Sequence, residues 1–149
     1  MARSDALTQF HYKIDVSGII RGFFTECSGL GSEHEVVEHK IYHGGGAEEE
    51  VKMIPGRLKW DRIKLKRGIT DNLDIWNWRK LVVEGNMVDA RRNGSIMIID
   101  PDDDYKVVAQ WDFVNGWPSK VTGPELQAGG NAIGIEELVV AHEGITRVK

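Results

Sequence analysis

The feature that most constrains the fold is the stretch over residues 39–68, whose two ends are β-prone and whose middle is not. Between the ends lie three glycines, three glutamates and a Pro-Gly pair. That is more than the ~2–5 residues that a hairpin loop usually takes. Long ordered loops are uncommon and tend to be functional. The pattern predicts two strands joined by a long polar arm, about residues 42–58, that reaches another chain.

Length and composition predict one soluble domain over residues 1–149. A chain of 149 residues buries roughly 68–70% of its unfolded surface and needs no disulfide or metal to fold. The net charge of −4 argues against nucleic-acid binding as the main task. Cys27 is the only cysteine, which fits a reducing compartment. The first ten residues lack the apolar region of a signal peptide, and no apolar run is long enough to span a membrane.

A period of two marks the first strand, where Phe10, Tyr12, Ile14 and Val16 alternate with polar residues. Further strands are predicted at residues 19–27, 35–41, 60–66, 95–99, 106–114 and 133–142. The segment 115–118, Asn-Gly-Trp-Pro, is expected to break the sixth strand. Seven strands and one helix predict a mainly β fold, closed or nearly closed and antiparallel.

One helix is predicted over about residues 71–84. Thr70 or Asp71 is the expected N-cap, and the helix is expected to stop near Gly85. Its apolar residues do not leave one clean polar face, so it is expected to pack on more than one side.

Three histidines near the arm raise the question of a metal site. His34, His39 and His43 lie close in sequence, and zinc accepts histidine ligands. Residues at odd separation on a strand point to opposite faces, which separates His34 from His39. His39 and His43 share a face but lie ~13 Å apart along a strand. The spacing therefore argues against a metal site.

A calcium loop is the second candidate. Asp100, Asp102 and Asp104 match the first three ligand positions of an EF-hand loop. The position that requires glycine is Tyr105, and the position that requires glutamate is Trp111. The segment is therefore predicted to be a solvated acidic turn.

Two further chemistries fail on the same kind of test. The glycines at 44–46 precede glutamates, which would repel a phosphate. Ser28, Asp112 and His142 make a triad on paper, but no nucleophile-elbow pattern supports it. No catalytic residue, metal site or cofactor is predicted, and the chain is not expected to be an enzyme.

A series of short sequence phrases runs in order over residues 10–144. They are V-S-G at 16–18, F-F-T-E-C-S-G-L at 23–30, V-V-E-H-K at 36–40, I-P-G at 54–56, I-K-L-K-R-G at 63–68, Trp76, N-G-W-P at 115–118 and the closing residues 136–144. In this order and spacing they resemble the tail-tube protein family of contractile phages and phage-like injection systems. The type VI secretion tube is a near neighbour of that family.

The resemblance implies a structural inner-tube subunit. Two packed antiparallel sheets would form a β-sandwich or barrel with the helix on its flank, and strands from six subunits would complete one β-barrel across a hexameric ring. Rings would stack head to tail into a hollow tube that conducts DNA or a protein effector. The implied partners are a contractile sheath protein and the baseplate and tube-terminating proteins. Assembly would take place in the cytoplasm, as part of a virion tail or a phage tail-like particle.

Three sets of residues are predicted to serve this assembly. The inter-ring contact arm is His43, Gly44, Gly45, Glu48, Glu49, Glu50, Val51, Met53 and Ile54. Its candidate basic partners on the next ring are Lys64, Lys66, Arg67, Arg91 and Arg92. The candidate lumen-facing residues are Glu26, Glu35 and Glu38, with Phe23, Val37 and Ile63 facing the protein layer.

The chain's charge adds an expectation about the lumen. Six subunits at −4 each carry −24, and negative walls would repel acidic cargo within the reach that salt allows, about 8–10 Å. The alternative function is a monomeric ligand-binding β-barrel, which has a closed cavity and forms no filament.

Overall fold

The computed structural model describes residues 11–42, 44, 49–124 and 134–149. These residues form ten strands and two helices, and neither helix is long and apolar enough to cross a membrane. In chain order they are β1 His11–Val16, β2 Ile20–Phe24, β3 Glu26–Ser28, β4 Ser32–Tyr42, β5 Glu49–Trp60, β6 Ile63–Gly68, α1 Asp74–Val83, α2 Met87–Ala90, β7 Arg92–Asp100, β8 Lys106–Thr122, β9 Ile135–Ala141 and β10 Gly144–Arg147.

The strands form two antiparallel sheets that share β8, and a separate ribbon. The first sheet has the order β2-β1-β7-β8-β10, and the second has the order β8-β9-β6-β3. The ribbon is the hairpin of β4 and β5. The predicted class, mainly β with two antiparallel sheets and little helix, is confirmed.

Strand β8 does not end at residues 115–118, so the predicted break is wrong. Up to Gly116 the strand pairs with β7, and from Trp117 onward it pairs with β9. Asn115 adopts a positive φ of 50°, which asparagine tolerates better than most residues. Its backbone N–H donates to Asn93 Oδ1 at 3.1 Å. The strand therefore turns and passes from one sheet to the other.

The predicted strand over residues 19–27 divides at Thr25 into β2 and β3. Strand β2 lies at the edge of the first sheet, and β3 lies at the edge of the second. The N–H of Thr25 donates to the carbonyl of Lys66 at 2.8 Å. The outermost strands of the combined order β2-β1-β7-β8-β9-β6-β3 are β2 and β3. These two strands are consecutive in the chain, so the order of strands closes on itself.

The core lies between the two sheets and under helix α1. Trp78 is fully buried, and its indole N–H donates to the carbonyl of Ala90 at 2.7 Å. Burying a large apolar side chain contributes about 1.5–3 kcal/mol. The core residues are Ile14, Val16, Ile20, Phe24, Ile63, Leu65, Ile75, Trp78, Ile96, Phe113, Leu138 and Val140.

Helix α1 begins three residues later than predicted. Neither Thr70 nor Asp71 caps it: the N-cap is Leu73, which supplies no side-chain hydrogen bond. Asn72 Oδ1 accepts from the N–H of Asp74 at 3.0 Å, and Asp74 Oδ1 accepts from the next N–H at 2.7 Å. These bonds satisfy free N–H groups of the first turn and replace the expected cap.

The other end of α1 fits the prediction. The helix ends at Val83, and Gly85 follows with a φ of 81°. The N–H groups of Gly85 and Asn86 donate back to Val82 and Leu81 at 3.0 and 2.8 Å. This is a glycine-terminated helix end. The short helix α2 was not predicted.

The predicted arm is largely a β-ribbon, so its assignment as a non-strand segment over 42–58 is wrong. Strands β4 and β5 pair from Ser32 opposite Trp60 to Tyr42 opposite Glu49. Gly56 lies at a bulge in β5 and follows Pro55. Proline is a residue that edge strands tolerate. The alternation that marks a strand is weak here because neither face of the ribbon is buried in the subunit. Residues 43 and 45–48, within the connection, lie outside the described residues.

Substituting one glycine at the base of the ribbon should disrupt the fold. Gly29 has a φ of 84°, and a Cβ there would lie 1.9 Å from the carbonyl oxygen of Arg62. Gly18 has a φ of 74° but open space around it. We expect Gly18→Ala to cost about 1–2 kcal/mol in unfolding free energy and Gly29→Ala clearly more, measured by urea denaturation. Equal losses for the two variants would contradict the close approach.

Candidate assembly interface

The ribbon of β4 and β5 is exposed on both faces. Of its described residues, only Ile41 and Trp60 are even partly buried. Tyr42, Met53 and Val36 are 74, 64 and 62% exposed. An isolated two-stranded ribbon is at best marginally stable, and large exposed apolar patches mark interaction sites. The ribbon has the character of a surface that another chain covers.

The register divides the ribbon into two unlike faces. The apolar face carries the pairs His34–Leu58, Val36–Pro55, Glu38–Met53, Lys40–Val51 and Tyr42–Glu49. The charged face carries the pairs Glu33–Lys59, Val37–Ile54, His39–Lys52 and Ile41–Glu50. Burial of the apolar face removes more apolar area from water, so this face is the better suited of the two to contact protein.

The root of the ribbon is held firmly to the barrel. The N–H of Asp61 donates to the carbonyl of Gly31 at 3.1 Å. His142 Nε2 lies 2.9 Å from the carbonyl oxygen of Asp61, so Nε2 carries the proton that is donated. The imidazole also lies beside Trp60, with ring centroids 6.0 Å apart. These contacts fix the direction in which the ribbon leaves the subunit.

The predicted contact arm is distributed over both faces of the ribbon. Glu49, Val51 and Met53 lie on the apolar face, whereas Glu50 and Ile54 lie on the charged face. Gly44 is exposed in the connecting turn. The remaining arm residues, His43, Gly45 and Glu48, lie outside the described residues. The inter-ring role of the arm remains a prediction.

The three residues predicted to face the lumen, Glu26, Glu35 and Glu38, do not lie on one surface of the subunit. Glu35 and Glu38 lie three residues apart on β4, so their side chains point to opposite faces. Glu26 lies on β3, in the second sheet. Of the residues expected to face the protein layer, Ile63 is buried, whereas Phe23 and Val37 are 52 and 48% exposed.

The five predicted basic contacts also separate. Lys64 and Lys66 lie on β6 on the same face as Glu26, and Lys66 Nζ is 3.6 Å from Glu26 Oε2. Arg91 is exposed, and Arg92 Nε donates to the carbonyl of Asp89 at 2.9 Å. Arg67 is only 5% exposed, and its prediction as a ring contact is wrong.

Arg67 instead anchors helix α1 to the second sheet. Its Nη2 donates to Asp74 Oδ1 at 2.7 Å, and its Nε donates to Glu136 Oε2 at 3.2 Å. The other oxygen of Glu136 accepts from Trp76 Nε1 at 2.8 Å. The sequence carried a signal for this burial, since Arg67 follows Ile63 and Leu65 at a spacing of two. The side chain is therefore used within the subunit.

The structure brings no reactive constellation together in its described part. Over those residues no group of three or more His, Cys, Asp and Glu side chains could hold a metal ion. Asp112 accepts hydrogen bonds from Ser95 Oγ and Gln110 Nε2 at 2.7 and 2.9 Å. Its environment is that of a structural carboxylate.

Cys27 should be a slow nucleophile in the folded protein. Burial raises the pKa of its thiol from 9.0 to about 12, and the thiolate is the reactive form. The folded state holds this proton more tightly than the unfolded chain, so the stability contribution is complete below pH 9 and is lost as pH rises towards 12. At pH 8 we expect iodoacetamide to modify urea-unfolded protein much faster than folded protein; equal rates would contradict this.

The sequence matches a known family along almost its whole length. The model of the T4-like virus tail tube protein gp19 family matches residues 8–146. The chain belongs to that family. It is a structural inner-tube subunit of a contractile tail or injection system. No curated protein sequence matches this tail tube protein.

Solved structures share the fold of this tail tube protein at low sequence identity. A chain of the anti-feeding prophage baseplate is 18% identical, with a TM-score of 0.75 over 99% of this chain and 97% of that one. A chain of the sheath–tube complex of the extracellular contractile injection system PVC is 17% identical, with a TM-score of 0.70 over 91 and 86%. Hcp1 from Salmonella typhimurium is 10% identical, with a TM-score of 0.60 over 93 and 85%.

Proposed function

We propose that six copies of this tail tube protein form a ring, with residues 1–149 as a single domain. Rings stack head to tail into a hollow tube that conducts DNA or a protein effector. The observation that carries this proposal is the ribbon of β4 and β5, which leaves the barrel with both faces exposed. Head-to-tail contacts that do not close on themselves generate filaments. An exposed ribbon that docks on the next ring is such a contact.

The apolar face of the ribbon supplies most of the contact energy. Apolar area contributes about 25 cal/mol per Å² removed from water, whereas an exposed ion pair contributes only ~0–1 kcal/mol. Val51 and Met53 therefore set affinity, and the glutamates of the arm set register. Of the predicted basic partners, Arg67 is buried, whereas Lys64, Lys66, Arg91 and Arg92 are exposed or partly exposed.

The assembly has further partners. Chains similar to this one come from a sheath–tube complex, a baseplate and a tube-terminating cap of contractile systems. A contractile sheath protein and baseplate and tube-terminating proteins are accordingly the proposed partners. The tube is assembled in the cytoplasm as part of a virion tail or tail-like particle, and it has no catalytic task and needs no cofactor.

Size and shape test the proposal together. Purified protein should elute well above its monomer mass of 16.7 kDa, and negative-stain microscopy should show rings or hollow filaments. The alternative, a monomeric ligand-binding β-barrel, predicts one peak at the monomer mass. That peak at all concentrations and salt conditions would refute the tube.

A further inference from the structure

The outward faces of the two sheets both carry charged side chains, which on the first sheet include Lys13, Asp15 and Asp112, but they differ in the apolar groups that they expose. The face of the first sheet exposes Phe23, Val108 and Val114, by 52, 41 and 45%. On the face of the second sheet, the only large apolar residue exposed among the described ones is Ile135, at one strand end. Exposed apolar groups in numbers mark a surface that protein covers, whereas a permanently wet surface is polar. The second sheet therefore has the face suited to water.

The second face is organised in two rows that run across its strands. The first row is Glu26, Lys66, Glu137 and Thr122, each directly opposite the next. The second row is Ser28, Lys64, Val139 and Lys120. The rows are two residues apart along each strand, about 7 Å. The first row, the acidic row, carries a formal charge of −1, and the second, the basic row, carries +2.

The edges of this sheet allow the rows to continue into other copies. Among the described residues β3 pairs only with β6, and residues 117–122 of β8 pair only with β9. Both edges thus offer backbone groups that a copy can pair with. Joining edges around a ring closes a barrel. Rows that cross the strands then become belts that encircle the lumen.

We propose that the outward face of the second sheet is the channel wall, and that Lys64 and Lys120 form a belt of positive charge that contacts anionic groups of the cargo. This inference rests on the proposed function. It assigns Lys64 and Lys66 to the lumen rather than to the next ring, because they share the face of Glu26. The two rows together carry +1 per subunit, although the whole chain carries −4. The channel is therefore not the acidic tube that the total charge predicts.

The alternation of the belts keeps contact with cargo weak. Their separation of about 7 Å is shorter than the Debye length of ~8 Å at physiological salt, so the two rows partly cancel. An anionic chain is attracted at the basic belt and repelled at the acidic one. Lys66, paired with Glu26 at 3.6 Å, lowers that repulsion. Such a wall holds anionic cargo reversibly, which suits transit.

Cysteine labelling tests where this face lies. Lys64→Cys and Lys120→Cys are each assembled into tubes and treated with a small maleimide or with a maleimide coupled to an antibody fragment. The unsubstituted tube is the blank, since Cys27 has a thiol pKa of about 12. Lys80→Cys is the matched control, on helix α1 with a side chain 71% exposed. Thr122→Cys, on the same face, serves if a lysine variant fails to assemble.

We expect the small reagent to label every variant. We expect the bulky reagent to label Lys80→Cys along the whole tube and the other variants only at the tube ends. Equal labelling of Lys64→Cys and Lys80→Cys by the bulky reagent in intact tubes would overturn the channel wall. Failure of the unsubstituted protein to form tubes would instead refute the proposed function. The two failures are therefore distinguishable.

Retention of anionic probes tests the chemistry of the belt. Tubes are assembled with fluorescent polyglutamate or with single-stranded DNA of matched length, and the probe that sediments with them is measured. The double variant Lys64→Gln/Lys120→Gln should retain several-fold less of the probe than the unsubstituted tube, and Lys80→Gln should retain as much. A DNA probe that contacts two lysines should lose about sevenfold in affinity between 50 and 200 mM salt.

Retention of both probes indicates a belt that binds carboxylate and phosphate alike. Retention of only one probe supports the belt and identifies the anionic group it prefers. Equal retention by the double variant and the unsubstituted tube, or no retention of either probe at low salt, would overturn the role of the lysines.

Discussion

Replacing residues 35–57 with Asn-Gly is expected to give a folded subunit that forms no tubes. His34 and Leu58 are directly opposite each other in the ribbon, and Asn-Gly makes the two-residue turn that such a pair accepts. The deleted residues contribute little to the core, since the described ones are exposed except for the partly buried Ile41. We expect the unfolding free energy to change by less than about 1 kcal/mol. Circular dichroism and negative-stain microscopy measure the two outcomes.

Two further variants distinguish the tip of the ribbon from its faces. Replacing residues 43–48 with Asn-Gly keeps Tyr42 opposite Glu49 and removes only the tip. Met53→Asp places a charge on the apolar face, and Lys52→Asp is its neighbour on the charged face. Losing a buried apolar contact of about 1.5–3 kcal/mol should raise the concentration needed for assembly more than tenfold for Met53→Asp. Normal tubes from the variant that lacks residues 35–57 would refute the proposed role of the ribbon.

Arg67→Met is expected to be the most destabilising change in the second sheet that leaves the backbone untouched. It leaves the carboxylates of Asp74 and Glu136 buried without their shared cation, at side-chain exposures of 8 and 3%. Breaking a buried ion pair from one side costs about 3–5 kcal/mol. Asp74 Oδ2 is already buried without a partner among the described residues. For a chain of this size the melting temperature should fall by roughly 6–20 °C.

The matched control for this change is Lys64→Met, on the same strand and exposed to solvent. It should alter the unfolding free energy by no more than about 0.5 kcal/mol. Thermal unfolding of both variants under conditions that prevent assembly makes the comparison. Equal melting temperatures for the two variants would show that the ion pairs of Arg67 with Asp74 and Glu136 do not hold α1 to the sheet.

The sequence predicts best those elements that have one buried face. β1 and β6 alternate because one side of each meets the core, and Arg67 follows the same alternation. The ribbon was mistaken for a loop because burial does not shape its pattern within one subunit. Residues 115–118 were mistaken for a break because a strand that changes sheets needs the same positive φ as a turn. Local sequence does not distinguish these cases. Neither face of the ribbon is buried in the subunit, and the change of sheet shows only in the pairing of β8 with β7 and then with β9.

The faces of the candidate site could be predicted only in part. Side chains on a strand alternate between its two faces, so Glu35 and Glu38, three residues apart, point to opposite faces. The sequence alone therefore shows that they cannot both line one wall. The rows of the second sheet could not be foreseen, because they depend on which residue of β6 lies opposite which residue of β3 and β9. Paired residues of these strands lie 36–77 positions apart in the chain. No hairpin turn therefore fixes their register, and the hydrophobic pattern fixes only which face is buried.

Strand β8 gives the subunit a mechanical backbone. Its 17 residues extend for about 56 Å at ~3.3 Å per residue, less what the bend at Asn115 removes. It is hydrogen bonded to β7, β9 and β10. A force applied to one sheet therefore reaches the other through covalent bonds, without depending on side-chain packing. In a tube pushed lengthwise, the two sheets of each subunit would move together and resist shear between them.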